Sequence, residues 1–333
     1  MNLDEIYMRR CIELARLAEG NTSPNPMVGS VIVHNNCIIG EGYHHKAGEP
    51  HAEVMAIRSV KDESLLPEST LYVNLEPCSH YGKTPPCSEL IINKKIKRVV
   101  IAMTDPFPQV SGKGIKMLRE AGVEVVCGIL EHEAAILNKT FLTYQIKKRP
   151  FITLKWAESL DGFIDRLRDN RDIPAFRFSS GARQREVHRL RYINDAILVG
   201  QRTAYLDNPE LTDRYWNQNK QPLRIVIDRE NELDRDLKLF DDSTKTWIVT
   251  EEKNLIKNEK FDRTYFKPII FSPNIAEEVT DLLYREGIQS ILVEGGAYIL
   301  QQFLDKQMYD ELIIEKSPIL LGKGVTAPKI KNT

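Results

Sequence analysis

Between residues 4 and 19 the apolar positions Ile6, Cys11, Ile12, Leu14, Ala15 and Leu17 recur at helical spacing, which predicts an amphipathic opening helix. Residues 20–26, Gly-Asn-Thr-Ser-Pro-Asn-Pro, are dense in turn formers and read as a loop. The period then shortens. Residues 28–33 and 37–42 read as strands around a hairpin turn at His34-Asn35-Asn36. Helices are expected over 51–60, 86–93, 112–121 and 131–146, and strands over 71–75, 98–103 and 123–126.

Lys147-Lys148-Arg149-Pro150 is a charged break ending in proline, and it places a boundary between domains 1–148 and 149–333. The pattern restarts there. Strands are expected over 151–157, 195–200, 223–228, 246–250 and 288–294, and helices over 181–192, 275–286 and 297–305. Residues 166–173 carry many charges and read as an exposed loop. After Gly322-Lys323-Gly324 little chain remains, and no closing strand is assigned. Strands alternating with helices make both halves α/β, and 333 residues suit two domains.

Composition narrows the function. With 42% hydrophobic and 28% charged residues, the chain belongs with soluble globular proteins. A net charge of −1 gives no electrostatic case for a nucleic-acid or membrane partner. Asp4 and Glu5 stand where a signal peptide carries bases, and no apolar run is long enough to span a bilayer. The expected location is the cytoplasm. Of the five cysteines, Cys11, Cys37 and Cys127 lie in or beside apolar runs and read as small core residues.

Cys78 and Cys87 stand apart from these. With His51 they form a Cys₂His donor set suited to Zn²⁺, and three protein ligands leave the fourth tetrahedral position open for catalysis. Water at such a position is activated near neutral pH. Glu53, two residues after His51, can carry the proton without ligating. His51-Ala52-Glu53 with Pro77-Cys78 follows the order of the zinc deaminases. Pro77 suits the first turn of a helix, whose N-terminus lowers a thiol pKa. The cysteines are separated by eight residues rather than the two of the general signature. A structural zinc site with His80, His44 or His45 as fourth ligand remains an alternative, although it leaves Glu53 without a task.

In the second half, Ile291-Leu292-Val293-Glu294-Gly295-Gly296-Ala297 runs strand, glycine pair, helix. Glycines let a backbone approach a ligand, and the free N–H groups of a helix start suit a phosphate. This is not the Rossmann G-x-G-x-x-G pattern.

The motifs, taken in order, carry a resemblance. Ser23-Pro24-Asn25-Pro26-Met27-Val28-Gly29, His44-His45-Lys46-Ala47-Gly48, and Asn74-Leu75-Glu76-Pro77-Cys78 with its insert to Cys87 closely resemble the deaminase domain of the bifunctional riboflavin-biosynthesis deaminase–reductases. Lys155-Trp156-Ala157, Ser159-Leu160-Asp161-Gly162, Val187-His188-Arg189-Leu190-Arg191, Leu198-Val199-Gly200, Asp207-Asn208-Pro209 and Val293-Glu294-Gly295-Gly296 look like the reductase domain of the same family. The resemblance implies a cytidine-deaminase-like α/β/α domain followed by a dihydrofolate-reductase-like α/β domain that uses NADPH. It implies deamination of 2,5-diamino-6-(5-phosphoribosylamino)pyrimidin-4(3H)-one, then reduction of the product's ribosyl group to ribityl. Carried over residue by residue, it puts cofactor contacts on Ala157, Ser159, Thr203, Asp207, Gly295 and Gly296. Substrate contacts fall on Asn25, Arg191, Leu211, Arg214 and Glu294; Lys83, within the insert beside the metal, and Lys155, at its strand end, are further candidates. Arg191 and Arg214 suit a phosphate, which arginine binds bidentately. By analogy a homo-oligomer through the reductase domain is expected. The chain departs from the family at Arg177-Phe178-Ser179 and in the longer charged loop before it, so no contact is carried into 166–178.

Two other readings compete: a nucleic-acid base deaminase with an accessory domain, and a non-catalytic zinc-stabilised nucleotide-binding protein. Neutral charge and the long cysteine insert argue against the first.

Overall fold

The computed structural model describes residues 2–81, 85–107, 110–179, 181–216, 220–255 and 261–330. It divides into two compact units, Met1–Lys148 and Arg149–Thr333.

The first unit runs α1 (Leu3–Arg16), β1 (Gly29–His34), β2 (Cys37–Tyr43), α2 (Ala52–Ser59), β3 (Thr70–Val73), α3 (Cys87–Asn93), β4 (Arg98–Ile101), α4 (Lys113–Glu120), β5 (Glu124–Cys127), α5 (Glu131–Leu137) and α6 (Lys139–Lys147). Its five strands lie in the order β2-β1-β3-β4-β5. Strand β1 is antiparallel to both neighbours, while β3, β4 and β5 are parallel. Asn35 and Asn36 both take positive φ at the β1–β2 turn, the geometry of a tight hairpin. Alternate strand residues face two cores. Ile32, Leu71, Val99 and Ile101 pack with Ala56, Ile57, Ile91 and Leu118, and Val31, Tyr72 and Val100 pack with Met8, Cys11, Ile12 and Ala134. Helices therefore cover both faces of the sheet.

Several expectations need correction. The helix expected over 131–146 is two helices, broken at Asn138. The Asn138 amide is buried, accepting from the Met27 N–H at 2.8 Å and donating to the Met27 carbonyl at 3.0 Å. That contact spans the fold and overrides local helical preference. Cys37 and Cys127 are exposed, not core residues, because they sit on the edge strands β2 and β5.

In the second unit β6 (Phe151–Glu158), β7 (Phe163–Asp165), α7 (Gly181–Ile193), β8 (Ala196–Gly200), α8 (Gln201–Asp207), β9 (Leu223–Ile227), β10 (Thr246–Glu251), β11 (Thr264–Ile269), α9 (Ile275–Arg285), β12 (Ser290–Gly295), α10 (Ala297–Asp305), β13 (Glu311–Lys316) and β14 (Val325–Thr326) follow in order. Seven strands form a parallel sheet, β11-β10-β9-β8-β12-β6-β13. The chain builds outward from β8 to β11, then returns to place β12 between β8 and β6. Such a reversal opens a crevice at the carboxyl ends of the strands. Five elements were not expected from the pattern: α8, the edge strands β11 and β13, and the small β7–β14 pair. The loop expected to be exposed over 166–173 contains Arg168, only 4% exposed, because four partners described below, two carboxylates and two carbonyls, draw it inward.

Gly29 starts β1 where helix and sheet nearly touch: an added Cβ would lie 2.1 Å from the Cys11 carbonyl oxygen. Gly29→Ala is expected to destabilise the first unit by about 1–3 kcal/mol through overpacking. A thermal melt that matched the wild type would show that α1 shifts freely away from the sheet.

Candidate active sites

The first site gathers at the carboxyl end of β3 and the start of α2. His51 is the residue before α2, and its Nδ1 lies 3.5 Å from Cys78 Sγ and 3.4 Å from Cys87 Sγ. All three donor atoms fall within 4.8 Å of one another. With Zn–S near 2.3 Å and Zn–N near 2.0–2.1 Å, a tetrahedral N···S edge is about 3.5 Å. The spacing and chemistry of this donor set therefore fit a zinc ion. Cys78 is not in a helix, as Pro77 had suggested. Cys87 instead opens α3, and its backbone N–H donates to Cys78 Sγ at 3.3 Å. The Cys87 thiol and then His51 pull Cys78 down to about 4 against its burial, so a thiolate stands ready. The Cys78 hydrogen bond raises His51 to about 9, so a metal displaces a proton there.

Glu53 is 3% exposed in the first turn of α2, and burial pushes its carboxyl up to about 7. It contacts Cys87 and lies outside the donor cluster. His44 is buried, with its ring edge-on to His51 at 5.6 Å between centroids. Its Nδ1 lies 3.1 Å from the Pro50 carbonyl, which requires a donated proton, and its Nε2 lies 3.0 Å from Asn25 Nδ2. Both ring nitrogens are thus engaged and His44 is not a fourth ligand. It fixes Asn25 beside the site. His45 pairs with Glu49 near the surface, and exposed His80 stands edge-on to Phe107. Lys83 lies outside the described residues.

One residue that the motifs contain but the site reading passed over is Glu76. Its buried carboxylate accepts four backbone N–H groups: Asp105 at 3.2 Å and Gly112 at 2.9 Å on one oxygen, Gly114 at 2.9 Å and Ile115 at 3.2 Å on the other. It ties the strand end that carries Cys78 to the start of α4. A Cβ on Gly114 would come 2.1 Å from the Pro77 carbonyl oxygen, so this approach demands glycine.

The second site is a cavity of about 970 Å³ at the carboxyl ends of β6, β8, β9 and β12. Lys155, Ala157, Arg191, Thr203, Asp207, Arg214, Glu294, Gly295 and Gly296 all line it. Ser159 and Leu211 do not. Ser159 is buried and its Oγ accepts the Phe163 N–H, and Leu211 packs among Leu233, Leu237 and Leu239. The glycine pair is explained sterically. A Cβ on Gly295 would lie 2.9 Å from Thr203 Cγ2, and Gly296 has φ 80°. Arg191 forms a fork with Glu294, at 3.1 and 2.7 Å, and donates to the Thr212 carbonyl at 3.1 Å. Burial opposes the Glu294 charge, yet Arg191 and then Lys155 hold the carboxyl below its ordinary range. His188, buried on α7 and also in the wall, accepts the Arg214 backbone N–H at 3.0 Å. It fixes the segment that carries Arg214.

Comparison with known proteins fits this geometry. Residues 1–103 match the cytidine and deoxycytidylate deaminase zinc-binding region, and residues 150–331 match the RibD C-terminal domain. The riboflavin biosynthesis protein RibD of Bacillus amyloliquefaciens is 42% identical over 333 residues, covering 98% of this chain and 88% of that protein. The Aquifex aeolicus RibD is 40% identical, covering 97% and 89%. Among solved structures, the diaminohydroxyphosphoribosylaminopyrimidine deaminase/5-amino-6-(5-phosphoribosylamino)uracil reductase of Thermotoga maritima superposes with a TM-score of 0.86 at 39% identity, covering 97% of this chain and 89% of that one. Acinetobacter baumannii RibD gives 0.85 at 34%, covering 98% and 89%. The chain belongs to the RibD family. An N-terminal deaminase-like domain and a C-terminal reductase-like α/β domain make up its fold. These matches run through both units, whereas a base deaminase with an unrelated accessory domain would match in the first alone.

Glu76→Gln replaces a carboxylate oxygen with an NH₂ group facing backbone donors. A loss of about 1–3 kcal/mol in the first unit is expected, together with weaker zinc retention, because buried donors lose their acceptor. Wild-type melting and metal content would show that Glu76 does not hold the cysteine strand in place.

Proposed function

We propose that the first unit deaminates a phosphoribosylaminopyrimidine hydrolytically and that the second reduces the ribosyl group of the deaminated product with NADPH. The carrying observation is the His51–Cys78–Cys87 cluster with a buried, non-ligating Glu53 beside it. His51, Cys78 and Cys87 would hold a zinc ion, which would supply Lewis acidity and lower the pKa of water at its open position to about 7. Glu53 takes the water's proton on a carboxylate oxygen and returns it to the leaving amine, so ammonia departs. His44 holds the Asn25 amide beside the ring of the substrate. The substrate itself, 2,5-diamino-6-(5-phosphoribosylamino)pyrimidin-4(3H)-one, is inferred from the family, whose Thermotoga maritima member is named for both activities.

In the second unit NADPH supplies the hydride to C1′, and the protein contributes position and electrostatics. Ala157, Thr203, Asp207 and the Gly295-Gly296 turn bound one part of the cavity wall. The Arg191–Glu294 pair, Lys155 and Arg214 supply the fixed charges for a phosphorylated sugar. Arg191 acts chiefly on Glu294, since three protein acceptors already occupy it, whereas Arg214, paired with Glu210 at 2.5 Å but 52% exposed, is the more accessible arginine for a phosphate. The partner is thus a small phosphorylated molecule. Among the described residues no helix is long and apolar enough to cross a membrane, and we place the enzyme in the cytoplasm as a homo-oligomer, as its family suggests.

Glu53→Gln tests the first activity. Retained zinc with deamination lowered by about 10²–10⁴ or more is expected. Undiminished turnover, or loss of zinc with unfolding, contradicts the role. For the second unit, the deaminated intermediate should drive NADPH oxidation at 340 nm by the full chain. A folded protein that leaves NADPH untouched contradicts the reductase reading.

A further inference from the structure

The charged loop before α7 departs from the family pattern, and its inward turn has a purpose of its own. Arg168 is 4% exposed. Its Nε and Nη2 reach Asp165 at 2.7 and 2.6 Å, Nη2 also meets the Asp207 carboxylate, and Nη1 donates to the carbonyls of Ile173 at 3.2 Å and Leu206 at 3.1 Å. Asp165 in turn accepts the Phe176 N–H at 2.9 Å, closing the loop on itself. The Arg168 carbonyl accepts from Arg202 on α8 at 2.7 Å. Asp165, Arg168, Asp207 and Phe176 all line the cavity. Two carboxylates thus stand in the wall of a space read above as the seat of a polyanionic cofactor, with one buried guanidinium between them.

We propose that Arg168 is a positioning residue for cofactor binding: its charge offsets Asp165 and Asp207 in the cavity wall against which the anionic cofactor lies. The proposal rests on the NADPH reading of the second unit. Without Arg168, two negative charges in that wall would stand uncompensated. Arg168 is buried and its carboxylate partners partly so, and removing it leaves their charges without a partner. No atom of Arg168 takes part in hydride transfer. Its effect is expected in cofactor affinity.

The test measures the Kd for NADPH of the full chain, by nicotinamide fluorescence, for the wild type, Arg168→Gln, Arg168→Lys and Arg168→Gln/Asp165→Asn. Each variant is checked by its melting temperature. Arg168→Gln is expected to weaken NADPH binding by about tenfold or more, as loss of a partnered buried charge does. Arg168→Lys keeps the charge but gives up the bidentate geometry, so its loss should be clearly smaller than that of Arg168→Gln. Adding Asp165→Asn to Arg168→Gln should restore part of the lost affinity. A purely mechanical brace would behave otherwise: the Lys variant would lose as much as Arg168→Gln and the Asn substitution would recover none, and that pattern overturns the proposal. Equal Kd values across the series overturn it as well. Should Arg168→Gln fail to fold, the Lys variant decides: a loss of less than about tenfold supports the charge role, and a loss of about tenfold or more at native stability refutes it. A wild-type chain that does not bind NADPH brings down the cofactor reading and this proposal together. Tight wild-type binding with indifferent variants brings down this proposal alone.

Discussion

A carboxylate withdrawn from water needs donors, and this constraint organises both sites. Glu76 answers it with four backbone N–H groups, and in doing so fixes the strand end from which Cys78 projects. Three donor atoms at tetrahedral spacing require a backbone that does not drift, and a second layer of hydrogen bonds is what holds metal ligands in register. In the second unit Glu294 is answered by Arg191, and Asp165 and Asp207 by Arg168. Glu76, Glu294 and the partly buried Asp165 serve as anchors for the walls around them. At Glu53 burial pushes the carboxyl up to about 7, as the proton transfer proposed for it requires.

Both folds bring their chemistry to the carboxyl ends of parallel strands. In the first, β3 delivers Glu76, Pro77 and Cys78, and the start of α2 supplies His51 and Glu53. In the second, the return of the chain to β12 opens a crevice between strand ends, and Lys155, Gly200, Glu294 and Gly295 meet around it. The glycines are dictated by close approach: Gly114 passes the Pro77 carbonyl, and Gly295 passes Thr203.

The zinc set could be read from the chain because metal chemistry admits few residue types and the motifs stand in order. The α/β layering was equally legible, since long periodic segments dominate both halves. What escaped reading depended on distant contacts. Nothing near Asn138 announces that its amide will clasp Met27 and split a helix. The edge strands β11 and β13 carry Lys267, Pro268, Glu311 and Glu315, which interrupt the apolar run that marks a central strand. Arg168 lies in a charge run that ordinarily means a solvated loop, and only its convergence with Asp165 and Asp207 shows otherwise. The resemblance puts contacts on Ser159 and Leu211, yet neither lines the cavity, while His188, quoted only as part of a motif, does.

The function proposed for the chain joins two consecutive activities, the first dependent on zinc and the second on NADPH. The most direct measurement incubates the full chain with the diaminopyrimidine substrate and NADPH, with and without a zinc chelator, and follows product masses. Without chelator the account predicts exchange of an amino group for oxygen, then gain of a hydride and a proton. With chelator neither product forms from the diamino substrate, while the deaminated intermediate, supplied directly, is still reduced. Deamination that persists in zinc-stripped enzyme, or reduction that stops when only zinc is removed, would contradict the account.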